Sequence, residues 1–378
     1  MQVLTKRSLE ENKNLFRAFV DKEVIPYASD YDKREYLPHS LLEKMAEEGY
    51  LCSMLPEKYG GKNHSNLDVG LLNEEFGRGC ASSRSLLTVH GMVGLAIYRW
   101  GTKSQRNYWL PQMTKGTIVG AFALTEPNAG SDARNISTDA KETGNSYLIN
   151  GVKKWITMGQ IADVFLVFAN VDGQPSVFLV PSDTDGITIT PINNMLGAKA
   201  SMLAEIHFKN CTVPKENLIG RVGIGLSHIA LSCLDYGRYT IASGCVGAAQ
   251  ACLESSVKYA SNRGQYGVLI KDHQLIRKMI TEMSVNIEAA RQLCQRAGQL
   301  REELDPQSIL ATWQAKYYSS TMLQKIVSDA IQVHGANGCT QNYVVERHYR
   351  DSKINEIIEG STQIHEIMIA EQVCNQFS

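Results

Sequence analysis

Ala121-Phe122-Ala123-Leu124-Thr125-Glu126-Pro127-Asn128-Ala129-Gly130-Ser131-Asp132 is where this chain changes texture. Before it, up to about residue 116, apolar residues recur at helical steps: Leu15, Phe16, Phe19, Val20 and Val24, then Leu41, Leu42, Met45 and Leu51, then Leu71, Leu72 and Phe76. Pro56 to Gly61 reads as a turn between two of these sets. After it, over residues 117–223, short β-branched and aromatic runs at 147–149, 164–168, 177–180 and 187–189 alternate with Gly, Asn, Asp and Pro. Asn150-Gly151, between the runs 147–149 and 152–156, predicts a tight hairpin turn. This is the pattern of a compact, mostly antiparallel β domain. From about residue 224 the helical pattern returns. The stretches 229–260, 273–300 and 308–334 each exceed an average helix, and their short connections predict an up-down bundle. The expected fold class is mainly α with a central β domain: a helical domain over 1–116, a β domain over 117–223 and a helical bundle over 224–378.

The composition sets the outer limits. A chain of 378 residues is too long for one core and suits two or three domains. With 43% hydrophobic and 20% charged residues it reads as an ordinary soluble protein. A net charge of −1 gives no reason to expect nucleic acid or an anionic membrane as partner. The nine cysteines are an odd number with no CxxC pair, which points to reduced thiols and away from a disulfide framework or a metal site. Cys245 and Cys252 lie seven apart on an expected helix, where packing is the simpler role. The charged N-terminus has no apolar core, and no apolar run is long enough to span a membrane. A cytoplasmic protein is expected.

The strongest chemical signal lies near the end, in Ile357-Ile358-Glu359-Gly360-Ser361-Thr362-Gln363. Gly360 breaks one element and Ser361 is placed to cap the next. A carboxylate on such a junction is rigidly placed with open space before it, which suits a general base acting on carbon. An acidic residue at a helix N-terminus is the competing reading. Three further segments have the same double character. Lys153-Lys154-Trp155-Ile156-Thr157 puts an aromatic plane and a hydroxyl two apart on an expected strand, fit to stack on a heteroaromatic ring, or else it supplies a core tryptophan. Arg263-Gly264-Gln265-Tyr266-Gly267, with His273-Gln274, joins two long helices, and its arginine either neutralises a diphosphate or is solvated. Gln332-Val333-His334-Gly335-Ala336-Asn337-Gly338 ends a long helix, either toward a ligand or as a plain glycine cap.

Taken in order, LTEPNAGSD, KKWIT, NRGQYG with HQ, QVHGANG and IIEGSTQ resemble the acyl-CoA dehydrogenase superfamily along the whole chain. The resemblance implies a helical N-terminal domain, a β-barrel middle domain, a C-terminal four-helix bundle and FAD as cofactor. By position, Phe122, Leu124, Thr125 and Ser131 would lie along the isoalloxazine and pantetheine edge, and Trp155, Ile156 and Thr157 would flank the flavin. Arg263, Gln265, Tyr266 and Gln274 would hold the diphosphate and adenosine, reaching into a neighbouring subunit of a homodimer or homotetramer. Gln332, Val333, Gly335 and Ala336, with Ser361 and Gln363, would complete that site. Glu359 matches the family's catalytic base, next to Gly360, and Asp235 and Arg238 match its substrate-side helix. Gly223-Ile224-Gly225 lacks the third glycine of a Rossmann fingerprint.

Within the family, Ser85-Leu86-Leu87-Thr88-Val89-His90-Gly91-Met92-Val93 is similar to a smaller branch that serves polyketide and nonribosomal-peptide pathways. That likeness implies oxidation of a seryl or glyceryl group on the phosphopantetheine arm of an acyl carrier protein, giving an aminomalonyl or hydroxymalonyl extender unit. Thr88 and His90 are then the candidate contacts to a short polar acyl group, although His90 also reads as a satisfied helix histidine. The rivals are a short-chain acyl-CoA dehydrogenase of fatty or amino acid breakdown and a silent flavin-binding structural subunit. The intact Glu359 argues against the second. The electron acceptor and the exact acyl group are left open.

Overall fold

The computed structural model describes residues 8–377, in the order helices, sheet, helices. The first part holds α1 (Leu9–Phe19), α2 (Ala28–Arg34), α3 (His39–Glu47), α4 (Asn66–Gly79), α5 (Ala81–Trp100) and α6 (Lys103–Thr114). Capping boxes start α1, α4 and α6, pairing Ser8 with Glu11, Ser65 with Asp68 and Thr102 with Gln105. Helix α5 is buried from Ala81 to Ile97, so it needs no polar face and shows little periodicity.

The middle sheet has seven strands: β1 (Gly120–Ala123), β2 (Asp139–Thr143), β3 (Ser146–Ile156), β4 (Val164–Val171), β5 (Gln174–Pro181), β6 (Ile187–Pro191) and β7 (Ala204–Pro214). Their order is β1-β4-β2-β3-β7-β6, with β5 also on β4. Pairing is antiparallel except where β1 and β2 meet β4. Phe165, Phe178, Phe208 and Ile149 fill the curled interior. One expectation fails here. Asn150-Gly151 makes no hairpin, and β3 runs straight through it with a shift of register against β7. The turn between β2 and β3 sits at Gly144, whose φ is 56°. Gly151 instead bulges against Thr138, whose Cα would lie 2.7 Å from any Cβ there.

The C-terminal part holds α7 (Leu231–Ala260), a small hairpin of β8 (Gly264–Gln265) and β9 (Val268–Leu269), α8 (Gln274–Glu302), α9 (Ser308–His334), α10 (Val344–Ile357) and α11 (Thr362–Phe377). Helix α7 packs on α4, α5 and α9, and so joins the two helical parts. Cys245 and Cys252 are buried on it, and the cysteines are all free thiols. Among the described residues no helix is long and apolar enough to cross a membrane, and no cluster of His, Cys, Asp and Glu could hold a metal.

Candidate active site

Helix α10 ends at Ile357, and two left-handed residues follow, Glu359 at φ 56° and Gly360 at φ 95°. Ser361 then caps α11 through its Oγ, which accepts from the Ile364 amide at 3.4 Å. The left-handed region is costly for a glutamate, so the surroundings must impose it. They do so from two sides. Arg238 Nε donates to the Glu359 carbonyl at 3.1 Å, and Lys316 Nζ donates to the Gly360 carbonyl at 2.8 Å. The Glu359 carboxylate thereby lies against Gly237 of α7, where a built methyl would stand 2.6 Å from Cδ. The residue as a whole is half-buried, but its Oε2 is shut from solvent and has no hydrogen-bond partner. Burial pushes its pKa up to about 7, against the pull of Arg238, Lys316 and Arg84. A carboxylate so poised and unpartnered has the chemistry that a general base toward an acidic C–H needs.

A buried run of polar side chains leads to Gly237, against which this carboxylate lies. Thr88 Oγ1 lies 2.9 Å from Thr240 Oγ1, which donates to the Gly237 carbonyl at 2.9 Å. Arg84 Nη1 donates to Thr88 Oγ1 at 3.2 Å. Arg238 carries its guanidinium over the Trp313 ring, 5.8 Å from the centroid. Asp235 is paired with Arg301, which lies 5.2 Å over Tyr239. Its Oδ2 is therefore taken up by protein. His90 does not fit the expected substrate contact. It is 1% exposed, its Nε2 meets the Met113 carbonyl at 3.0 Å, and its Nδ1 accepts from the Gly120 amide at 3.2 Å. Burial lowers its pKa to about 4, so it is a neutral pin between α5, α6 and β1.

The second face is built on the start of the β domain. Lys153 is wholly buried and donates to Glu126 Oε1 at 2.7 Å and to the Leu124 carbonyl at 3.0 Å. Glu126 also accepts from the amides and hydroxyls of Ser137 and Thr138. These donors, with Lys153, hold its pKa near 2 despite burial. The Lys154 amide donates to the Thr125 carbonyl at 2.9 Å, which fixes the loop against β3. Strand alternation does not place Trp155 and Thr157 as expected, because Trp155 has φ 61° and the register shifts between Lys153 and Ile156. The result is a tryptophan 48% exposed, between buried Lys153 and buried Ile156, with Thr157 half-buried just past the strand. Nearby, Leu124 is buried, Phe122 packs on Phe168 and Ser131 is exposed.

The third face is separate. A cavity of about 860 Å³ opens between the β8–β9 hairpin, the start of α8 and the end of α9. Its lining includes Arg263, Gln265, Tyr266, Gln274, Gln332, Val333, Gly335 and Ala336, so eight of the expected residues meet at one place. A Cβ on Gly335 would meet nothing within 4 Å. Gln363 is exposed on α11 and lines neither this cavity nor any contact with Glu359. Four features escaped the sequence reading: Gly237, Lys316, Arg84 and the Lys153–Glu126 pair. The adjacent lysines before Trp155 were a signal for the last, whereas nothing local marks the others.

Family models for the acyl-CoA dehydrogenase N-terminal, middle and C-terminal domains match residues 7–117, 121–211 and 225–374. The chain belongs to the acyl-CoA dehydrogenase family, and it is a FAD-dependent oxidoreductase acting on acyl thioesters. It is 38% identical to the mitochondrial short-chain specific acyl-CoA dehydrogenase of Rattus norvegicus over 360 residues, 94% of this chain and 87% of that one. A glutaryl-CoA dehydrogenase of Mycobacterium smegmatis solved in complex with FADH2 superposes with a TM-score of 0.93 at 29% identity, covering 97% of this chain and 95% of that one. FkbI, solved for biosynthesis of the methoxymalonyl extender unit of a polyketide immunosuppressant, gives 0.88 at 30%, covering 96% and 99%.

Proposed function

We propose that this enzyme oxidises a short, oxygen-bearing acyl group held as a thioester on the phosphopantetheine arm of an acyl carrier protein. The observation that carries the proposal is the buried polar run Arg84, Thr88 and Thr240 that leads to Gly237, against which the Glu359 carboxylate lies, a setting that favours a polar acyl group over an alkyl one. The likeness to FkbI, solved for biosynthesis of a polyketide extender unit, supports a biosynthetic role, and the carrier protein is proposed as the thiol on that ground. Identity to the rat short-chain enzyme favours a second reading, a CoA-bound short acyl group.

Glu359 takes the α-proton of the thioester, and the cations Arg238 and Lys316 stabilise the charge this site holds. Bound FAD supplies the acceptor for the hydride that leaves the β-carbon. With a glyceryl group, loss of one proton and one hydride gives an enediol thioester that tautomerises to the 3-oxo product. Trp155, Ile156 and Thr157 with Phe122, Leu124 and Thr125 would hold the flavin ring, and Ser131 would lie on the pantetheine side. The cavity at Arg263 to Gln274 and Gln332 to Ala336 would take the diphosphate and adenosine of a flavin from a second subunit. Tyr266, 94% exposed, and exposed Leu275 at its rim favour such cover.

The test is anaerobic flavin bleaching by glyceryl-carrier protein, seryl-carrier protein and butyryl-CoA. Rapid bleaching by a carrier-bound polar group supports the proposal. Rapid bleaching by butyryl-CoA with neither carrier substrate active refutes it in favour of the second reading.

A further inference from the structure

The connection from β6 to β7 joins the helix that leads to Glu359 with the end of β3, where Trp155 and Thr157 stand. Its residues Asn194, Ala198 and Met202 are left-handed, with φ of 59°, 48° and 47°. For alanine and methionine that conformation is costly, so neighbours must impose it. Helix α10 does so with two successive residues. Arg350 Nη1 donates to the Leu196 carbonyl at 3.3 Å, and Asp351, 5% exposed, accepts from the Ala198 amide on Oδ1 at 2.6 Å. Between these contacts the Arg350 carbonyl lies so close to Gly197 that a built Cβ would stand 2.4 Å from its oxygen. The turn Lys199–Ser201 follows, buried at Ala200 and Ser201 and packed on α5 and α2. Beyond it the chain meets the exit of β3. The Ser201 carbonyl accepts from the Met158 amide at 2.9 Å, and the Met202 carbonyl from the Gln160 amide at 3.2 Å. Met158 directly follows Thr157, and Glu359 stands eight residues after Asp351, just past the end of α10. One short loop therefore ties the helix before the base to the segment of Trp155 and Thr157, with hydrogen bonds at both ends.

We propose that Asp351 is a positioning residue for flavin reduction: by holding the Ala198 amide it fixes the loop that sets Trp155–Thr157 in place relative to Glu359. It acts through Ala198, Ser201 and Met158, not by contact with a reacting atom. This depends on the flavin ring lying at Trp155–Thr157, as proposed above, and not on which acyl thioester is oxidised. A buried carboxylate that accepts from a backbone amide is a strong tie. Without it, left-handed Ala198 loses a contact that imposes its conformation, and the loop is free to relax. Proton and hydride transfer both need their partners held in fixed geometry, so a small relaxation is felt in the rate.

The experiment compares FAD-loaded Asp351→Ala, Asp351→Asn and Trp155→Ala with the wild-type enzyme. The substrate is whichever of glyceryl-carrier protein, seryl-carrier protein and butyryl-CoA reduces the wild-type flavin fastest. In Asp351→Ala the limiting rate of flavin reduction should fall about 10–100-fold, with little change in the thioester concentration that gives half that rate. The absorbance band of its oxidised flavin should shift as well. Asp351→Asn keeps an acceptor oxygen and should recover most of the lost rate. In FAD-free protein, hydrogen exchange in Asp351→Ala should quicken at residues 194–202 and also at 156–160, while β4 and β5 keep wild-type protection. A residue that served stability alone would lower Tm and leave the rate, the band and the exchange at 156–160 unchanged, and that result overturns the inference. Ala198→Gly gives a second test, since glycine adopts a φ of 48° without strain. In that background Asp351→Ala should cost about five- to tenfold less in rate than on its own, and an equal cost in both backgrounds overturns the inference. Should Asp351→Ala alone fail to fold, the double variant Ala198→Gly/Asp351→Ala must fold and bind FAD, and its failure to do so counts against the inference equally. An unmoved band in Trp155→Ala would sink the proposed flavin site. A band that moves in Trp155→Ala but not in Asp351→Ala would sink the positioning role alone.

Discussion

Gly237 and Glu359 meet so closely that no side chain fits between them: a methyl on Gly237 would stand 2.6 Å from Glu359 Cδ and 3.1 Å from Oε1. The glycine is therefore what lets the carboxylate lie flat on α7. Gly237→Ala should displace the base by about an ångström while leaving the buried helix intact, and a shift of that size costs about 10²-fold in rate. Rapid-mixing measurement of flavin reduction should show that loss with flavin content unchanged. Unaltered reduction would mean that the carboxylate has room the geometry denies it.

The raised pKa of Glu359 has two consequences. Flavin reduction should increase with pH through about 7 as the carboxylate loses its proton. Stability should move the other way. The folded state holds this proton more tightly than the unfolded chain, so the stabilisation is complete below the ordinary glutamate range and is lost as pH rises through about 7. The Tm of Glu359→Gln relative to wild type should then improve between pH 5 and pH 8. A difference that stays flat would mean that the folded state holds this proton no more tightly than the unfolded chain.

Lys153 and Glu126 form a buried pair that anchors the loop before β3. Lys153→Met leaves the Glu126 carboxylate without its cation, a change that costs about 3–5 kcal/mol. Tm should fall accordingly, and flavin should leave more easily on gel filtration, because the Leu124–Thr125 backbone loses its tie. A variant with wild-type Tm and flavin retention would show that the hydrogen bonds from Ser137 and Thr138 suffice.

The order of helices, sheet and helices was legible because periodicity switches near Ala121 and again near Leu226, and each texture lasts long enough to average out local exceptions. The Glu359-Gly360-Ser361 junction was legible for a local reason too, since a glycine and a capping serine act on their own neighbours. Asn150-Gly151 misled because its turn propensity was spent on a bulge against Thr138, which is distant in sequence. His90 misled because its partners, Met113 and Gly120, come from other elements. Arg84 and Lys316 were invisible on the same ground: they sit on helices buried on most sides, where a charged residue looks like a lapse in pattern until the site assembles.

Trp155 projects an exposed ring from a left-handed residue, so its removal should cost the fold little. Trp155→Ala is expected to keep Tm of the flavin-free protein within a few degrees, yet bind FAD more weakly or with a shifted absorbance band, because a stacking wall is gone. Equal affinity and an unchanged spectrum would remove Trp155 from the flavin site.

The proposed chemistry turns on Glu359 taking the proton. Anaerobic mixing of FAD-loaded Glu359→Gln with the best acyl thioester, followed by flavin absorbance, tests it most directly. The amide is nearly isosteric and cannot accept a proton, so reduction should slow by about 10²–10⁴-fold while flavin content stays at the wild-type level. Reduction at close to the wild-type rate would contradict the account and assign the proton to another group.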